Sequence, residues 1–196
     1  MPTFTIIIVG AGLAGLCSAI GLLKQGHKVI ILERAHKLSP AGAGIHVPPN
    51  ATLVLERWGI LERFRHVAIV PASFTFRRYD DGRLLGRTAP EGSETASRTP
   101  YWSMKRADYQ SILHDIATEL GCDLRLNQHI VSVNEDEPSV TTSTGELIKG
   151  DLIIATDGMK SHLRTLILPN NNTSPTTHPQ TTYRAWAPIS TLTTNP

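Results

Sequence analysis

Between a short β-branched run that ends at Val9 and an apolar stretch that begins at Leu13, the chain places Gly10-Ala11-Gly12-Leu13-Ala14-Gly15. Thr3 to Val9 reads as a buried strand, Leu13 to Gln25 as a helix closed by Gly26, and Lys28 to Leu32 as a second buried strand. Strand, helix and strand in so few residues must set the two strands parallel, joined by a right-handed crossover. The expected class is therefore α/β, with the glycines on the strand-to-helix turn.

Such a turn suits a dinucleotide. Gly10 permits the tight bend, Gly12 leaves bare backbone beside a pyrophosphate, and Gly15 lets helix and strand pack closely. Glu33, at the end of the second strand, can accept hydrogen bonds from both ribose hydroxyls of an adenosine. Arg34 either binds a 2′-phosphate or lies over the adenine, and with Glu33 beside it an unphosphorylated ribose fits better. The competing reading is an ordinary β-α-β turn with an exposed glutamate. The spacing alone does not choose between FAD and NAD.

Further along, Ala51 to Trp58 and Leu61 to Val67 read as helical, and Ser73 to Tyr79 alternates before the turn Asp80-Asp81-Gly82 and a short run Arg83 to Leu85. Thr88 to Pro100 reads as a polar loop, and Arg106 to Leu120 as a helix stopped by Gly121. Asp123 to Leu126, Ile130 to Asn134 and Ser139 to Ser143 read as short strands, and a small antiparallel meander is expected beside the parallel sheet. Asp151 to Ala155 is another buried strand, and Tyr183 to Pro188 a last one after the loop Leu168 to Thr182.

Bulk properties exclude several classes. A net charge of +2, with no dense Lys/Arg run, speaks against nucleic acid. The eight histidines are scattered and the two cysteines, Cys17 and Cys122, stand far apart, so neither a metal site nor a disulfide scaffold is expected. Lone cysteines suit a reducing, cytoplasmic setting. The uncharged stretch Ile6 to Leu23 could pass for a membrane span, but its central glycines and its β-branched first third read better as strand, turn and helix. Met1 to Thr5 carries no positive side chain, so no secretory signal is expected.

Longer segments carry a resemblance. Ile6 to Arg34, Ala41-Gly42-Ala43-Gly44-Ile45 with Pro48-Pro49-Asn50-Ala51, and Asp151-Leu152-Ile153-Ile154-Ala155-Thr156-Asp157-Gly158 with Ser161 and Arg164 resemble the single-component FAD-dependent monooxygenases, the aromatic-hydroxylase class. The resemblance implies a Rossmann-like FAD-binding parallel sheet across residues 1–196, with 70–100 and 183–196 belonging to an incomplete substrate-binding sheet. It implies that Gly44 lies in the flavin-side loop, that Arg106 contacts FAD, and that Asp157 lies near the pyrophosphate and serves the pyridine nucleotide too. The bland alternatives are a flexible turn for Gly44, a surface arginine for Arg106, and an N-cap for a helix Met159 to Leu166 at Asp157. Arg184, in the pair Tyr183-Arg184, is catalytic by resemblance to fungal members and otherwise a strand-edge arginine.

The activity implied is hydroxylation or epoxidation of a small organic substrate with NADH or NADPH and O2, in fungal secondary metabolism. The family's second flavin motif, Gly-Asp-Ala-Ala-His-like, does not occur in the sequence. An N-terminal portion, completed by a C-terminal fragment, is the expectation. The alternative function is a non-catalytic remnant or binding module that keeps the fold.

Overall fold

The computed structural model describes residues 2–38, 44–89, 99–168, 175–176 and 178–179. It divides into two compact units, residues 1–40 with 113–196, and residues 41–112.

The first unit is built on a parallel sheet. Strands β1 (Thr5–Val9) and β2 (Lys28–Leu32) flank helix α1 (Leu13–Lys24), which packs on both of them. The sequence anticipated this crossover, because strand pleat and helical spacing follow one another without a break. The uncharged stretch that mimics a membrane span is thus β1, the glycine turn and most of α1. Among the described residues no helix is long and apolar enough to cross a membrane.

Two distant strands complete the sheet. β1 also pairs with Leu152–Ala155 and β2 with Asp123–Arg125, both in parallel. Between these two lies an antiparallel meander, Ile130–Asn134, Ser139–Thr142 and Leu147–Lys149. The pleat sends alternate residues to opposite faces. On one face Ile7, Val9 and Leu32 form a core with Ile130, Val140 and Ile148 of the meander and with Leu163. On the other, Ile6, Ile8, Val29 and Ile31 are buried, as are Leu16, Ala19 and Ile20 of α1. Each fully buried aliphatic side chain contributes about 1.5–3 kcal/mol.

The second unit pairs β3 (Gly44–Val47) with β6 (Trp102–Lys105), and β4 (Phe74–Arg77) with β5 (Leu84–Thr88), both antiparallel. It also holds α2 (Pro49–Arg57) and a 3-10 turn, Leu61–Phe64. Its core contains Val47, Leu55, Phe64, Trp102, Met104 and Tyr109, with the Phe64 and Tyr109 rings 5.1 Å apart. Helix α3 (Arg106–Glu119) follows β6 directly. With β7 (Asp123–Arg125), β8 to β10 for the meander, β11 (Leu152–Ala155) and α4 (His162–Ile167), the element set is complete for the described residues. The parallel sheet runs β11-β1-β2-β7.

Several boundaries differ from the sequence reading. α2 starts at Pro49, not Ala51, because a proline at the first helical position has its φ preset and needs no N–H partner. Of the expected helix Leu61 to Val67, only Leu61–Phe64 is helical, as a single 3-10 turn. β3 lies where a loop was expected, and β6 was not anticipated; each is a four-residue strand with no periodicity to detect. Thr88 closes β5 instead of opening a loop. α4 begins at His162, with Ser161 as its N-cap, not at Met159. The expected strand Tyr183 to Pro188, and with it Arg184, lies outside the described residues.

Candidate functional site

The C-terminal ends of β1, β2 and β11 open onto a groove of about 260 Å³, lined among others by Gly10, Gly12, Glu33, Arg34, Gln128 and Asp157. Sheet topology dictates this place, since the glycine turn, the end of β2 and the end of β11 follow neighbouring strands.

The three glycines answer to different demands. Gly10 has φ +107°, and a β-carbon there would stand 2.5 Å from the Thr156 carbonyl oxygen. A β-carbon at Gly15 would collide with the Gly10 carbonyl oxygen and lie 2.9 Å from the Thr156 hydroxyl. Protein packing requires both. Gly12 is different: its backbone is extended (φ −72°, ψ −179°), and a β-carbon would meet nothing within 4 Å. Nothing in the protein needs glycine there. Its bare face looks onto open space beside the groove, which is what a bulky anion at close range demands.

Gly12 is also the N-cap of α1, with no side-chain cap and no acidic residue in the first turn. The helix therefore presents its positive end and its first N–H groups with no acidic residue of its own first turn to meet them.

Glu33 holds the adjoining wall. One carboxylate oxygen accepts from the Ala11 N–H and the other from the Ala35 N–H, each at 2.8 Å. Each oxygen keeps a further lone pair, so these ties orient the group and leave it able to accept from hydroxyls. The segment after β7 wraps against the end of β2: Glu33 N–H donates to the Arg125 carbonyl, and Gln128 N–H donates to that of Glu33. This brings Gln128 into the groove wall, where its side-chain oxygen is buried without a hydrogen-bond partner. Arg34, His129 and Lys160 line the groove from exposed positions.

Asp157 serves α4 from a distance. Its carboxylate accepts from the Ser161 hydroxyl at 2.5 Å and from the N–H groups of His162 and Leu163. Burial alone would raise this carboxyl, but the Ser161 hydroxyl and the backbone N–H groups hold it below the usual carboxylate range. The expected N-cap role is corrected accordingly: Ser161 is the cap, and Asp157 reaches the first N–H groups from outside the helix.

Of the anticipated residues, Gly10, Gly12, Glu33, Arg34 and Asp157 line one groove, with Gly15 packed behind the turn. Gly44 and Arg106 belong to the second unit. There the β3–β6 register sets Gly44 opposite Lys105, the residue before Arg106, so Gly44 and the expected FAD-contacting arginine lie at one end of a strand pair, while Ala41 to Ala43 of the expected flavin-side loop lie outside the described residues. Sequence reasoning gave no role to Thr156, Gln128, His129 or Lys160. Thr156 was visible beside Asp157; Gln128 had no signal, because only the wrap after β7 carries it to the groove. Among the described residues no cluster of His, Cys, Asp or Glu is arranged to hold a metal ion.

A bare-backbone glycine turn at the head of an uncapped helix, with an acidic residue closing the next parallel strand, defines a dinucleotide-binding α/β domain. Comparison with known proteins narrows the class. The chain belongs to the FAD binding domain family, whose pattern it matches over residues 3–183. It is 35% identical over 182 residues to the FAD-dependent monooxygenase OpS4 of Beauveria bassiana, covering 91% of this chain and 43% of that protein. It is 32% identical over 164 residues to 3-hydroxybenzoate 6-hydroxylase of Polaromonas naphthalenivorans, covering 81% and 41%. Among solved structures, that of CtdE in complex with FAD and substrate is similar with a TM-score of 0.73 and 28% identity, covering 84% of this chain and 40% of that one. The chain thus spans about two fifths of the length of the relatives it matches.

Proposed function

We propose that this chain is the FAD-holding part of a monooxygenase that uses NADH or NADPH and O2 to hydroxylate or epoxidise a small organic molecule. The observation that carries the proposal is Gly12. Two glycines of the turn are demanded by the protein's own backbone, whereas at the third no described atom stands within 4 Å of a β-carbon, which leaves its bare face free to meet a ligand. Naming of the relatives as FAD-dependent monooxygenases and hydroxylases supports the reaction class. Fungal relatives such as OpS4 support a place in secondary metabolism.

The residues present fit FAD. Gly12 and the first N–H groups of α1 would hold the pyrophosphate, and Glu33 would accept from the two ribose hydroxyls of the adenosine half. The unsatisfied oxygen of Gln128 takes a donor such as the adenine amine. Arg34 lies over the adenine. Arg106 binds phosphate or ribityl oxygens, with Gly44 letting backbone approach the flavin. Asp157 shapes the pyrophosphate side and serves the pyridine nucleotide. Arg184 stabilises negative charge developing on the substrate. Bound FAD would supply two-electron chemistry, taking hydride from the nicotinamide and, once reduced, passing one atom of O2 to the substrate while the other leaves as water.

Residues 70–100 and 183–196 are assigned to a substrate-binding sheet. The exposed Phe76, Leu84 and Leu85 of the β4–β5 hairpin support this, because they await cover. The relatives are more than twice as long as this chain, which supports a further segment that supplies the rest of the sheet, and two unpaired cysteines support a cytoplasmic setting. The test is titration of the purified full chain with FAD, followed by flavin absorbance and fluorescence. Saturable uptake of about one FAD per chain supports the proposal. A colourless protein that leaves FAD fluorescence unchanged at every concentration overturns it.

A further inference from the structure

The peptide between Gly10 and Ala11 is held at both ends. On its carbonyl side, the Thr156 hydroxyl lies 2.9 Å from the Gly10 oxygen and equally 2.9 Å from that of Val9. On its N–H side, Ala11 donates to Glu33 at 2.8 Å. The carbonyl and N–H of a trans peptide point in opposite directions within one plane. Two side chains that directly follow the strands flanking β1, Glu33 and Thr156 (its one hydroxyl proton shared between two carbonyls), therefore fix the rotation of this plane. It needs fixing, because Gly10 has no β-carbon to limit its backbone.

A turned plane would redirect the N–H groups that follow, those at the head of α1. Thr156 also fills the space left by the missing Gly15 side chain, since a β-carbon there would stand 2.9 Å from the hydroxyl. Its own N–H donates to the Val9 carbonyl, so the residue is anchored independently of its side chain. Replacing the hydroxyl leaves the backbone of β11 in place and removes one of the two ties.

We infer that Thr156 is a positioning residue for the cofactor: its hydroxyl pins the Gly10–Ala11 peptide so that the α1 N–H groups are pre-aimed at the pyrophosphate. The inference rests on the proposed FAD site. Pre-organisation of this kind acts on the phosphate-bearing part of the ligand and leaves contacts to the nucleoside untouched.

The experiment measures affinities of the full chain for FAD, ADP and adenosine, the last two by competition against FAD fluorescence, together with the melting temperature of each ligand-free variant. Thr156→Val keeps the side-chain volume and lacks the hydroxyl; Thr156→Ala is a second hydroxyl-less form should the first fold poorly. The expected result is an affinity loss of about tenfold for FAD and ADP, the effect of one net hydrogen bond. Adenosine binding stays within about twofold, and Thr156→Ser restores ADP binding to within about twofold. Equal losses for ADP and adenosine overturn the inference. So does unchanged ADP affinity with a lowered melting temperature, which would mean a purely structural threonine. A wild-type chain that binds neither FAD nor ADP overturns the proposed function, and this is seen before any variant is compared.

Discussion

A β-carbon on Gly15 would fall inside van der Waals contact with the carbonyl oxygen of Gly10, whereas one on Gly12, three residues earlier, would meet nothing. The colliding atom is backbone and cannot rotate away. Gly15→Ala should therefore destabilise the ligand-free protein by about 3 kcal/mol, a fall of roughly 6–12 °C in melting temperature. Gly12→Val should shift stability by less than about 1 kcal/mol and abolish FAD binding. Thermal melts and flavin titrations of both variants separate the two roles. Equal stability losses would remove the distinction.

Glu33 and Arg34 adjoin in sequence but differ in engagement. Glu33→Ala removes a charged acceptor of two backbone N–H groups and of the expected ribose hydroxyls. FAD affinity should drop by about 10- to 150-fold, or 1.5–3 kcal/mol. Arg34→Ala, at an exposed position, should cost less than about threefold. Fluorescence titration gives both numbers. If the order reverses, Arg34 reads a phosphate, and an NADP-like ligand replaces FAD in this groove.

The Asp157 carboxyl is held below its ordinary value of 3.8 in the folded chain. Its contribution to stability is therefore complete above that value and disappears as pH falls through the lower, folded one. The stability difference between wild type and Asp157→Asn, from urea unfolding, should stay constant from about pH 8 to pH 5 and shrink below pH 4. A difference that grows on acidification would contradict the hydrogen-bond account of Asp157.

Much of the site can be read from residues alone because it is local. The strand, glycine turn, helix and Glu33 lie within residues 5–33, and their periodicities switch where the structure switches. The division of labour among the glycines was not readable in full, since Thr156, against which Gly10 and Gly15 are packed, comes from far along the chain. Gln128 reaches the groove only through the wrap of residues 125–128 on 33–35. The short strands β3 and β6 escaped for another reason: four residues are too few to establish alternation, and each is defined by the other. Asp157 follows β11 as the strand pattern implies, but α4 begins later than Met159 and Lys160 suggest, because the Ser161 cap delays it.

Both cysteines are sheltered thiols. Burial pushes Cys17 up to about 11, and burial, with Asp123 nearby, does the same for Cys122. At pH 8 only about one molecule in a thousand carries a thiolate at either position. Ellman's reagent should react slowly with the native chain and rapidly with both thiols in denaturant. Fast labelling of the native protein at pH 8 would mean that one of the two sites opens readily.

The pairing of β1 with β11 has a temporal meaning. Thr5 N–H donates to the Asp151 carboxylate across 146 positions of sequence, and the groove is walled on one side by residues that follow β11. A nascent chain emerging from the ribosome displays the glycine fingerprint early, yet the groove lacks one wall until Thr156 and Asp157 have followed. Until then β1 offers one unpaired edge to its surroundings, the exposure that makes long-range sheets slow to form and prone to mispairing. Added FAD should therefore do little to rescue chains released before Asp157 and should protect those released after it.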